Sequence, residues 1–73
     1  MSHNNLTRYI EDVFSKQFGN DILGVINLSM IPHEAFIQVR VIRVTTEVKD
    51  FAKAIEKEFD ELGRRVSIDV VEQ

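Results

Sequence analysis

The residues with the most chemical potential in this chain are His33 and Glu34, adjacent after Pro32, and the three serines Ser15, Ser29 and Ser67. An imidazole beside a carboxylate offers two metal donors, but a metal site takes three or four ligands, so His33 promises at most a weak contact. None of the serines stands in a motif that would activate its hydroxyl, and there is no cysteine nucleophile. The carboxylates Glu56, Glu58, Asp60 and Glu61 crowd one stretch of helical pattern, where they read as a solvated face rather than an acid–base pair. No glycine-rich loop is present to cradle phosphate. The sequence therefore predicts no catalytic residue, no metal site, no cofactor and no enzyme.

Arginines offer a different chemistry. Arg40, Arg43, Arg64 and Arg65 are the candidates for contacting a phosphate backbone. Such binding gains its free energy from several clustered cations that release counterions. Here 9 Lys and Arg face 12 Asp and Glu, a net charge of -3, and the later cations are interleaved with acids. Neither a paired aromatic stacking motif nor a glycine-rich loop between helices is visible. Nucleic acid is disfavoured as a partner, while contact with a ribonucleoprotein stays open.

Composition bounds the rest. A chain of 73 residues supports one small core. With 44% hydrophobic and 29% charged residues, 1 Pro and 3 Gly, it has enough apolar material to fold. No cysteine means no disulfide framework. No apolar run reaches the roughly 18 residues of a membrane span. The polar start Met1-Ser2-His3-Asn4-Asn5 lacks the features of a secretory signal, which predicts a cytoplasmic protein. A core this small rarely supplies more than about 3–5 kcal/mol by itself, so either the packing is tight or a partner covers part of the surface.

Periodicity places the elements. Leu6, Ile10, Val13, Phe14 and Phe18 form one helical stripe, with Asn4 or Asn5 as cap and Gly19 as terminator. Residues 1–5 are read as a flexible N-terminus and residues 6–73 as one domain. A strand from Val25 to about Met30 alternates Ile26, Leu28 and Met30 with Val25, Asn27 and Ser29. After the break at residues 31–34, a strand from Ala35 to about Val44 sets Ile37, Val39 and Val41 against Phe36, Gln38, Arg40 and Ile42. Thr45 or Thr46 caps a second helix whose stripe is Val48, Phe51, Ala52, Ile55, Phe59 and Leu62, closed by Gly63. Asp60 with Arg64 and Glu61 with Arg65 have the i,i+4 spacing of helical ion pairs. The last strand, Val66 to Val71, opposes Val66, Ile68 and Val70 to Ser67, Asp69 and Val71.

The order α-β-β-α-β predicts an α+β, ferredoxin-like domain: a three-stranded mixed sheet with two helices on one face. The strands flanking the second helix should be parallel. The third strand can lie beside the first or the second, and the ferredoxin-like choice is beside the first. The uncovered sheet face should then present Val25, Asn27, Ser29, Phe36, Gln38, Arg40, Ile42, Ser67, Asp69 and Val71. Apolar groups mixed with opposite charges suit an interface, either with a second copy or with another protein. The interface residues expected to matter most are Phe36, Gln38, Arg40, Ile42 and Val71.

Short segments also carry a family likeness. Ile10-Glu11-Asp12-Val13, Gly24-Val25, Phe36-Ile37-Gln38-Val39, the stretch from Ala52 to Ile55-Glu56, and Val66-Ser67-Ile68-Asp69-Val70 resemble the cytoplasmic C-terminal domain of cation diffusion facilitator transporters. The resemblance implies a ferredoxin-like α-β-β-α-β module that pairs with itself. It does not imply transport, because no membrane segment is present, nor metal sensing, because the strands lack that family's histidines. A looser similarity, from Val25 to Val41 after a helix, is to the KH-like ribosome-binding factor A. It implies an accessory factor on ribosomal RNA, although that family is basic and this chain is acidic.

Overall fold

The structure, a computed structural model, describes residues 2–29 and 34–73, with side chains from Leu6 onward. Met30, Pro32 and His33, and with them most of the expected break and the imidazole of the His33–Glu34 pair, lie outside the described residues, as do Met1 and the His3 side chain.

Helix α1 spans Ser2–Phe18. It starts earlier than the stripe alone predicts, because no proline or glycine interrupts the chain before Leu6. Asn4 and Asn5 consequently lie within the helix instead of capping it. Ile10 and Phe14 are fully buried, and Leu6, Val13 and Phe18 pack around them. Gly19, at φ +63°, ends the helix in a conformation that costs glycine nothing, and a 3-10 turn over Gly19–Asp21 follows.

Strands β1 (Ile22–Asn27) and β2 (Glu34–Val41) precede helix α2 (Thr46–Glu61) and strand β3 (Arg65–Glu72). The second strand stops at Val41 rather than Val44, leaving residues 42–45 to turn into the helix. Thr45 is the cap: its Oγ1 accepts from the Val48 N–H at 3.2 Å, satisfying a donor that the first turn cannot pair. At the other end Gly63 adopts φ +82°. Its N–H donates to the Asp60 carbonyl at 3.0 Å, and the Arg64 N–H donates to the Phe59 carbonyl at 2.9 Å, the paired bonds of a Schellman closure. The helix is therefore over before Arg64 and Arg65, and the expected helical ion pairs do not form. Arg65 instead lies 3.8 Å from Glu34, while the Arg64 guanidinium sits 5.9 Å from the centre of the Phe59 ring. Leu62, at the cap position, is exposed rather than part of the buried stripe.

The fold is the expected α+β arrangement of two helices and a three-stranded mixed sheet in the order α-β-β-α-β. β1 pairs antiparallel with β2, and β2 pairs parallel with β3. The strand order corrects one expectation: β3 lies beside β2, not beside β1. The short β2–α2–β3 connection brings its two parallel strands together directly, and β2 becomes the central strand. Its inward residues Ile37, Val39 and Val41 are fully buried beneath the helices, where Val48, Ala52, Ile55 and Phe59 of α2 and Val66 of β3 join them in the core. Ring contacts join the helices: Phe51 stands edge-on to Phe14 at 4.9 Å and to Phe18 at 5.4 Å, and Tyr9 to Phe59 at 5.9 Å. No helix among the described residues is long and apolar enough to cross a membrane.

Candidate interaction surface

Which residues occupy the uncovered sheet face follows from the register. In β1 the pairing slips by one residue: Ile22 opposes Val41, yet Gly24 opposes Arg40. The extra residue, Leu23, makes a bulge. Beyond it, Val25 opposes Val39 and Asn27 opposes Ile37, so both lie on the helix-covered face. Ile22 and Val25 pack against the core. The Asn27 side chain turns back on its own backbone, where Oδ1 accepts from the Ser29 N–H at 2.9 Å.

This overturns the expected placement of β1. Val25 and Asn27 belong to the inner face. Ile26, opposite Gln38, belongs to the outer one. Leu28 continues that outward phase: its N–H donates to the Phe36 carbonyl at 2.7 Å, and its side chain is 46% exposed. Simple alternation selects the more apolar set, Ile26 and Leu28, for the core. The bulge instead lets Ile22 and Val25, three residues apart, both point inward. Gly24 was the available signal, since a glycine inside a strand pattern often marks a bulge.

The residues read as interface fall as follows. Phe36, Gln38 and Arg40 alternate outward along β2, away from the fully buried Ile37, Val39 and Val41. Val71 stands opposite Arg40 in the register and is half-buried. Phe36 is 47% exposed. Ile42 lies just beyond β2, tethered where its N–H donates to the Asp21 carbonyl at 3.0 Å, and is 51% exposed. Arg40 Nε donates to Gln38 Oε1 at 3.4 Å, a long contact that leaves most of the guanidinium's donors without a partner among the described residues. Asp69, opposite Gln38, is exposed on the same face and diagonal to Arg40. The face thus holds an apolar pair, Leu28 and Phe36, beside two unlike charges that do not pair with each other; among the described residues the ion pair present is Glu34–Arg65.

The four arginines considered for nucleic acid do not converge. Arg40 projects from the sheet and Arg43 lies in the turn after β2. Arg65 opposes Glu34 at the other end of that strand, about 20 Å from Arg40 by strand rise. Among the described residues no group of three or more His, Cys, Asp or Glu side chains is placed to hold a metal ion. No protein family, curated protein or solved structure matches the chain.

Proposed function

We propose that the protein is a non-enzymatic, cytoplasmic interaction module that pairs with a second copy of itself through the outer sheet face. The observation that supports this reading is the exposed cross-strand pair Leu28–Phe36 with Arg40 and Asp69 beside it on one face. A two-fold axis lying in the plane of that face and passing between Arg40 and Asp69 brings the two outer faces together and turns each subunit's Arg40 toward its partner's Asp69, so one surface serves both sides of the contact. Ile26, Ile42 and Val71 extend the apolar area, and Gln38 provides a hydrogen-bonding group at its middle. The likeness to self-pairing transporter domains points the same way. The ribonucleoprotein reading draws less support, because its arginines are spread over both ends of the sheet.

The test is substitution on the face. Phe36→Glu and Ile42→Glu should keep the circular dichroism spectrum of the parent and lose self-association. Parent-like association of both variants defeats the proposed contact.

A further inference from the structure

The second surface of interest is the free edge of β3, and it does not depend on the sheet face. β3 is an outer strand of the sheet. Along a strand, successive residues direct their backbone groups to opposite edges. The Gln73 N–H donates to the Val41 carbonyl, so the odd-numbered residues face β2. The backbone groups of Val66, Ile68 and Val70 then face outward. One of them is occupied: the Ile68 N–H donates to Glu56 Oε2 at 2.5 Å, a carboxylate lowered from α2 onto the strand edge.

Charge gathers along the same edge. Two grooves between α2 and β3, of about 550 and 350 Å³, share Lys53 and Glu56 in their walls. Lys49, Lys53 and Lys57 follow one another at i,i+4 spacing along α2 and line the two grooves, and Arg64 and Arg65 continue the line into the larger one. Five of the chain's 9 Lys and Arg therefore border these grooves, against four of its 12 Asp and Glu. Of those four acids, Glu34 is engaged by Arg65 and Glu56 by the Ile68 N–H. Asp69 points its side chain to the far face of the sheet with Gln38, which leaves Asp60 as the remaining acid in the wall of the larger groove. Like charges at i,i+4 on a helix cost a few tenths of a kcal/mol, which an acidic ligand would relieve.

We propose that the outer edge of β3 docks an extended acidic peptide as a fourth strand. The peptide's backbone pairs with Val66, Ile68 and Val70, and its carboxylates reach Lys49, Lys53 and Lys57. Glu56 occupies the place of one ligand acceptor and leaves when the strand is added. A polypeptide fits this edge better than a nucleic acid does, because the edge offers carbonyl acceptors as well as N–H donors and phosphate oxygens cannot donate to carbonyls.

The experiment titrates the folded protein with three probes at low salt: a short peptide alternating glutamate with threonine, its lysine–threonine counterpart, and a single-stranded RNA oligonucleotide. Backbone amide shifts are followed by NMR. The glutamate peptide should bind, moving the amides of Val66, Ile68 and Val70. Lys53→Glu should weaken it about tenfold, and Glu56→Ala should tighten it about tenfold by freeing the Ile68 N–H. Equal binding of the lysine peptide, preference for RNA, or shifts confined to other strands overturns the proposal. So does the absence of binding with Glu56→Ala self-associating, which makes Glu56 a guard of the edge rather than a placeholder.

Discussion

Leu28 and Phe36 meet across the first two strands: the Leu28 N–H donates to the Phe36 carbonyl at 2.7 Å, and both side chains stand about half exposed. Apolar neighbours of this size across an antiparallel ladder stabilise a sheet when they are covered. Covering the exposed half of Phe36 is worth about 1 kcal/mol, gained once in each subunit of a symmetric pair. Phe36→Glu removes that gain and sets a charge in the contact, so it should raise the dimer dissociation constant about 100-fold while the helical signal is unchanged. Concentration-dependent sedimentation checks it.

The bulge at Leu23 makes a prediction of its own. Val25→Asp puts a carboxylate against the core beside Val39, and a domain with only about 3–5 kcal/mol in hand should unfold. Ile26→Asp, one residue on, should fold with a loss of about 1 kcal/mol or less and interfere with association instead. Urea denaturation separates the two. A folded Val25→Asp beside an unfolded Ile26→Asp means that the strand has the opposite phase.

That pair of neighbours also marks where the sequence stops being legible. Helix α2 can be read in detail: Thr45 for the cap, the buried stripe Val48, Ala52, Ile55 and Phe59, and Gly63 for the closure. Each of those signals is local, set within one turn of backbone. The inward set of β2, Ile37, Val39 and Val41, is equally plain because the strand is regular. β1 is misread because one extra residue inverts the phase of everything after it, and alternation has no memory of a bulge. The place of β3 is misread because periodicity states which face a residue occupies and not which strand lies beside it. The outer face could be named from β2 and β3, but Leu28, one half of its apolar pair, was hidden by the inverted phase of β1. The Glu56–Ile68 contact has no signal in the sequence, since it joins a helix and a strand edge through tertiary packing.

Core packing is tested at Phe14. The ring is fully buried and stands edge-on to Phe51 at 4.9 Å. Phe14→Ala should cost about 3–5 kcal/mol, comparable with the whole stability of so small a domain. Far-ultraviolet circular dichroism at room temperature should show a largely unfolded chain. A cooperative melt close to that of the parent contradicts the placement of α1 on the sheet.

The cap of α2 gives a smaller effect. Thr45→Ala removes the acceptor of the Val48 N–H and should lower unfolding free energy by about 1 kcal/mol. Thr45→Ser or Thr45→Asp should retain most of it. Thr46→Ala, one position into the helix, should be close to neutral or slightly favourable. Equal losses at both threonines would place the helix start elsewhere.

The central claim is that the outer sheet face joins two copies of the chain. Its most direct test is the solution mass by light scattering through a dilution series. The account predicts a species of about 17 kDa, twice the 8.5 kDa chain, that dissociates on dilution and is absent in Phe36→Glu. A mass that stays at 8.5 kDa up to high concentration contradicts self-pairing through this face.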